Sequence, residues 1–145
     1  MRTLGRQVVA EFYACDPVLL DDVERLRGSL IAAAERIGAR VIGETFHRFP
    51  AGGVSGTLVL AESHLSIHTW PERGYAAVDL FTCGGLDPRP AFELLGRSLS
   101  AASGRMQEIV RGLPEEIENA GGAILPEDVL MLAEAAEIVR FRKLD

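Results

Sequence analysis

The spacing of apolar positions changes several times along this chain, and each change marks an element. From Gln7 to Cys15 the run VVAEFYAC is dense in apolar and aromatic residues, which reads as a strand. Asp16-Pro17 then sets a capping carboxylate just ahead of a proline at the first helical position. Beyond it Leu19, Val23, Leu26, Leu30, Ala34 and Ile37 recur at spacings of three and four, which predicts one helix with a single apolar face. Gly38 stands where a helix-ending glycine is expected. Arg40 to Phe49 and Val54 to Leu60 read as two strands joined by the turn Pro50-Ala51-Gly52-Gly53. In the second of these, Val54, Leu58 and Leu60 share one parity and Ser55 and Thr57 the other, as in a half-buried strand. Tyr75 to Cys83 reads as a strand between the breakers Pro71 and Gly74 and the pair Gly84-Gly85. Asp87 to about Ala102 reads as a helix with Phe92, Leu95 and Leu99 on one face, followed by a short strand from Met106 to Val110.

Short connections between the middle strands imply antiparallel pairing. The fold class expected is therefore α+β: an antiparallel β-sheet with helices packed on one face, a two-layer sandwich. Residues 1–112 form the domain. The segment Gly112 to Gly122, rich in Glu, Gly and Pro, reads as a linker. Pro126-Glu127-Asp128 opens a third helical pattern through Val129, Leu130, Ala133, Ala136 and Val139, so 113–145 reads as a linker with a C-terminal helical extension.

Composition narrows the function classes. The 145 residues suffice for one domain with a real core, and 48% hydrophobic with 25% charged residues is a soluble, globular balance. A net charge of −6 disfavours a nucleic-acid-binding surface, which needs clustered Lys and Arg. No window approaches the roughly 18 apolar residues of a membrane span, and the N-terminus lacks the apolar run of a secretory signal. The expected location is cytoplasmic, with no membrane partner. Cys15 and Cys83 match neither a metal spacing nor a redox pair and read as free thiols.

The segment AESHLSIHTWPE concentrates chemistry. Two of the three histidines, two serines, two acids and the single tryptophan fall between Glu62 and Glu72. Three readings compete there: a polar strand end with satisfied side chains, a metal site, and a serine nucleophile. His64 and His68 are four apart, a spacing that suits a helix. Ser-Ile-His-Thr-Trp is β-prone, however, and in a strand the two imidazoles stand about 13 Å apart, so a metal is disfavoured. A Gly-x-Ser-x-Gly elbow, the usual setting of a hydrolase serine, is missing.

The block AESHLSIHTWPERGYAAVDLFTCG resembles the signature of the prokaryotic short-form S-adenosylmethionine decarboxylases, and LGRQVVAEFYACDP and FHRFPAGGVSGTLVLAESH agree on its flanks. The resemblance covers about residues 3–112. It implies a self-processing, pyruvoyl-dependent enzyme that converts S-adenosylmethionine to its decarboxylated form, the aminopropyl donor of spermidine biosynthesis. The implied cleavage site is Glu62–Ser63, giving chains 1–62 and 63–145, with Ser63 converted to the covalent pyruvoyl group that forms a Schiff base with substrate; no metal is implied. A serine is needed because its hydroxyl attacks the preceding carbonyl. The amide becomes an ester, which then leaves by β-elimination. The resemblance assigns His68 to removing the α-proton in processing, Ser55 to assisting the acyl shift, and Cys83 to proton donation in decarboxylation. Imidazole suits the first task near neutral pH, and a free thiol, mostly protonated there, suits the last. It places the adenine between Phe49 and His68 and the ribose hydroxyls on Glu72. A homodimer of cleaved protomers is implied, each copy contributing to both sites. Two rivals are the same chemistry on another amino acid such as arginine, and a non-processing regulatory paralogue. Phe49 and Glu72 speak against the first, Ser63 and His68 against the second. His64, Ser66 and Trp70 receive no role, His47 reads as structural, and Cys15 as a small buried apolar residue.

One geometric demand follows. Five residues separate Ser63 from His68, so in a straight strand they point to opposite faces about 16 Å apart. Their cooperation predicts a bend between them, at His64-Leu65.

Overall fold

The computed structural model describes residues 4–83, 85–119, 121 and 137–142. Its strands are β1 (Gly5–Tyr13), β2 (Val41–Arg48), β3 (Val54–Leu60), β4 (Ser63–Trp70), β5 (Tyr75–Thr82), β6 (Ser103–Arg111) and β7 (Glu137–Arg142). They form one sheet in the order β2-β3-β4-β5-β1-β6-β7, and every neighbouring pair is antiparallel. The expected α+β class with helices on one face is what the chain adopts. The first strand is inserted between β5 and β6, so β1 is held on both edges.

Alternation decides which face is covered. Val8, Ala10 and Phe12 on β1, Leu58 and Leu60 on β3, Leu65 and Ile67 on β4, and Val78 and Leu80 on β5 are all buried. Against them lie α1 (Pro17–Leu20), α2 (Val23–Arg36) and α3 (Arg89–Ser98). α2 contributes Leu26, Leu30, Ala33 and Ala34, and α3 contributes Phe92 and Leu95. Phe12 and Phe92 meet with ring centroids 6.3 Å apart. Each fully buried side chain of this size contributes about 1.5–3 kcal/mol, so the cover of helices is what makes one face of the sheet dry. The other face, which carries Ser55, His68 and Phe81, has no helix over it among the described residues.

Four expectations differ from the fold. The single helix expected after Asp16 is two. Asp16 caps α1, its carboxylate accepting the Val18 N–H at 2.9 Å, but Asp22 then caps a fresh helix by accepting the Arg25 N–H at 3.1 Å. The apolar spacing runs through the break because both helices pack on the same core. Gly38 does close α2: at φ +79° its N–H reaches Glu35 O at 3.0 Å. Second, β4 runs unbroken from Ser63 to Trp70, paired with β3 from Leu60↔Ser63 to Ser55↔His68. The chain turns at Ala61-Glu62, not at His64-Leu65, because a two-residue connection already satisfies the hairpin. Third, the segment read as linker contains a short helix, α4 (Pro114–Asn119). Fourth, Glu137–Arg142 is a strand on the outer edge of β6, where a helix was expected. The sequence EIVRFR is rich in β-branched and aromatic residues, and the edge of β6 offers it unpaired backbone groups. The rest of the C-terminal helical pattern, and Gly84, lie outside the described residues.

Candidate active site

Two clusters stand at opposite ends of β4, on whose length Ser63 shares the parity of buried Leu65 and Ile67 and His68 that of the open face. The first is built around the Ala61-Glu62 turn. Glu62 has φ +62°, the left-handed region that costs a residue with a Cβ roughly 1–2 kcal/mol. Backbone strain is therefore stored at the residue that immediately precedes Ser63. Ser63 opens β4, half-buried, with Oγ donating to Ala61 O at 3.5 Å. Cys83, just past β5 and exposed, donates its thiol hydrogen to Glu62 O at 2.8 Å. A donor on that oxygen polarises the carbonyl and stabilises negative charge developing there.

Beside this turn, Phe81 lies between His64, stacked at 5.9 Å between centroids, and the Arg111 guanidinium, 6.0 Å from the ring centre. The ring reaches over Gly5: a Cβ there would collide with Phe81 Cζ. Only a bare backbone lets Phe81 take this place.

The second cluster sits on the neighbouring strands toward the other end. His47, Ser55 and His68 occupy one row across β2, β3 and β4. Ser55 Oγ and His68 Nδ1 share a hydrogen bond of 2.8 Å. In the tautomer in which Nδ1–H donates to Ser55, Nε2 carries the lone pair that can take a proton; in the other, the hydroxyl donates to Nδ1. Phe49, 44% exposed, stands just beyond β2 and meets His47 edge-on at 4.7 Å. Glu72 lies in the single 3-10 turn Pro71–Arg73 after β4, exposed. His68, Phe49 and Glu72 thus belong to one end of the sheet, while Ser63 and Cys83 belong to the other. The two halves expected of one site are not brought together within one chain.

Sequence reading gave Trp70 no role, and passed over Tyr75 and Glu11. Trp70 tilts toward His68 at 6.5 Å and stacks on Tyr75 at 5.2 Å, and Tyr75 stacks in turn on Tyr13 at 5.8 Å. The Tyr75 hydroxyl donates to Glu11. Burial, and then the Glu11 carboxylate, push the Tyr75 hydroxyl's pKa well above its ordinary value, so it stays protonated and remains a donor. The signal available was parity alone: Trp70, Tyr75 and Glu11 each alternate with buried residues on their strands.

Known proteins resemble this chain in sequence and in fold. The family model described as S-adenosylmethionine decarboxylase matches residues 6–112. The S-adenosylmethionine decarboxylase proenzyme of Thermotoga petrophila is 50% identical over 129 residues, spanning 88% of this chain and 95% of that protein. That of Thermosipho africanus is 51% identical over 118 residues, 81% of this chain and 91% of the relative. The crystal structure of the adenosylmethionine decarboxylase from Aquifex aeolicus superposes with a TM-score of 0.72 at 35% identity, covering 80% of this chain and 97% of the other. The Trypanosoma brucei enzyme monomer, at 13% identity and a TM-score of 0.61, shares the fold. On the family match and these relatives, the chain belongs to the S-adenosylmethionine decarboxylase family.

Proposed function

We propose that this chain cuts itself between Glu62 and Ser63 and then decarboxylates S-adenosylmethionine with the pyruvoyl group that Ser63 becomes. The observation that carries the reading is the Cys83 thiol on the Glu62 carbonyl, at a residue held in the left-handed region next to a serine. Ser63 Oγ attacks the Glu62 carbonyl carbon. The bond to the Ser63 nitrogen breaks as the ester forms, and Cys83 holds the developing oxyanion. A base then removes the Ser63 α-proton, and the Glu62 carboxylate leaves with the Oγ oxygen. The dehydroalanine remaining takes up water and releases ammonia. The resulting ketone supplies an electron sink for loss of carbon dioxide from an α-amino acid. The residues present fit such a group: its position opens a strand next to a thiol that can return a proton to carbon.

The base is His68, and it acts from a second copy of the chain. Along unbroken β4 it stands about 16 Å from Ser63, too far to act on its own copy. Two copies packed open face to open face about a two-fold axis set Cys83 and the Ala61-Glu62 turn of each against Ser55 and His68 of the other; Ser63, which shares the parity of buried Leu65 and Ile67, reaches that site from the very end of β4. Such an isologous pairing generates two equivalent sites. Phe49 and His68 then receive the adenine ring between them, and Glu72 accepts from the ribose hydroxyls. This pairing also covers the half of the sheet that the helices leave bare.

Denaturing mass spectrometry tests the cut: residues 1–62 separate from a fragment that starts at position 63 and carries a pyruvoyl block. A single intact chain overturns the reading, as does cleavage of Ser63→Ala. The trans arrangement is tested by co-expressing Ser63→Ala with His68→Ala. Each alone stays whole, and in the mixture the His68→Ala chain is cut by the histidine of its partner. A mixture that stays whole overturns the shared site. Release of carbon dioxide from S-adenosylmethionine but not from arginine identifies the substrate.

No helix among the described residues is long and apolar enough to cross a membrane.

A further inference from the structure

The break between α1 and α2 has a purpose on the sheet. It exposes Asp21, the residue after α1, beneath the β2–β3 turn. One carboxylate oxygen, Oδ1, accepts the Gly53 N–H at 2.9 Å, and the other, Oδ2, accepts from Arg48 at 2.6 Å. These two partners flank the turn, which is closed by Phe49 N–H to Gly53 O and Gly52 N–H to Phe49 O, each at 2.9 Å. Gly53 itself, at φ +94°, is pressed against β4: a Cβ there would meet Thr69 O at 2.7 Å. The turn therefore has little freedom of its own and takes its position from Asp21 on one side and β4 on the other. Asp21 and Arg48 lie on the helix-covered side, whereas Phe49 packs on His47 at the open face.

We propose that Asp21 is a positioning residue for the nucleoside end of the site: its carboxylate clamps the turn through Gly53 and Arg48 and so fixes where Phe49 stands relative to His68. The inference rests on the reading of Phe49 and His68 as the adenine-binding pair. It assigns Asp21 to substrate binding and not to cleavage, because Ser55 and His68 sit on paired strands beyond the turn, held by their own ladder. The Asp21 carboxyl lies below the usual carboxylate range, chiefly through the Arg48 hydrogen bond and then the Gly53 N–H, in keeping with a clamp that stays charged.

Asp21→Ala and Asp21→Asn in the full chain test this, with three measurements on each: fraction cut, KM and kcat for S-adenosylmethionine, and hydrogen exchange at the Gly53 amide. Asp21→Ala is expected to be fully cut, with Gly53 exchanging about tenfold faster and KM raised about five- to tenfold, part of the worth of the two lost hydrogen bonds, while kcat stays within twofold. Asp21→Asn keeps an oxygen for Gly53 but turns an amide NH2 toward Arg48, losing that hydrogen bond and the charge, so its KM rises less than that of the alanine variant. An unchanged KM with accelerated Gly53 exchange overturns the proposal, as does a fall in kcat with KM unchanged. Should the alanine variant fail to fold, the asparagine variant decides on the same criteria. If the wild-type chain neither cuts nor turns over, the reading of the site fails, while Gly53 exchange still reports whether Asp21 clamps the turn.

Discussion

Thr69 offers a measurement of how firmly the site's central strand is pinned. The residue is 7% exposed, and its hydroxyl accepts the Val54 N–H at 2.8 Å and donates to the Leu20 carbonyl at 2.7 Å, tying β4, β3 and α1 together at one atom. Thr69→Val keeps the shape and removes both bonds. A buried amide and a buried carbonyl then stand without partners, at about 1–3 kcal/mol each. The new methyl returns about 1 kcal/mol of burial. It cannot remain at those distances, since carbon contacts settle at ~3.5–4.0 Å, so the three elements must spread. The net loss expected is about 2–4 kcal/mol, a fall in Tm on the order of 6–12 °C for a chain of this length. Thr69→Ser is the control, retaining the hydroxyl and losing a methyl worth about 1 kcal/mol. Urea unfolding followed by Trp70 fluorescence gives the comparison. It is made in the Ser63→Ala background, so that one covalent chain unfolds, and at fixed protein concentration, so that assembly does not shift the midpoint. A valine variant within 1 kcal/mol of the serine variant refutes the reasoning, because the hydroxyl's two bonds would then contribute nothing.

Other outcomes follow from single contacts. Gly5→Ala drives a Cβ into Phe81 and is expected to cost about 1–3 kcal/mol, with Phe81→Leu restoring part of the loss in the double variant; a neutral Gly5→Ala in thermal melts excludes the close approach. A thiol reagent at neutral pH should modify exposed Cys83 and leave Cys15, which is 5% exposed, untouched until the chain is denatured. Burial pushes the Cys15 thiol up to about 11, above its unfolded value, so the folded state holds a proton that the unfolded state gives up. The contribution is whole below the unfolded value and is lost as pH rises toward 11; Cys15→Ala should flatten the fall in urea stability between pH 8 and pH 10, and an unchanged slope removes Cys15 as its source.

Local periodicity carried most of the fold. The parity of Val54, Leu58 and Leu60, the Asp16-Pro17 cap and Gly38 each report a contact within a few residues, and each stands where the pattern put it. What stayed hidden depends on distant partners. The helix break at Asp21-Asp22 satisfies Arg48 and Gly53, some thirty positions on, and the apolar spacing is indifferent to it. The edge strand Glu137–Arg142 exists because β6 has a free side, which no window around residue 137 records. The block from Ala61 to Cys83 announced its chemistry, through the residues it concentrates and the family it resembles. The bend expected between Ser63 and His68 came from requiring one chain to hold a whole site. The unbroken β4 keeps the two residues apart on one chain, which is why the base is proposed to come from a second copy.

The position of β1 gives the self-inflicted cut an unusual outcome. A break at Glu62–Ser63 leaves β1, β2 and β3 on one piece and β4 onward on the other, yet the sheet runs β2-β3-β4-β5-β1-β6-β7. The pieces meet at three seams, β3 with β4, β1 with β5 and β1 with β6, like the tails and pins of a dovetail joint. Neither piece holds an unbroken sheet, so dilution cannot part them and they travel as one body. Once unfolded, however, the pieces must find each other again in solution, whereas the uncut precursor refolds as a single thread. With the proposed cut made, the fold would be kept chiefly by the slowness of its own unfolding.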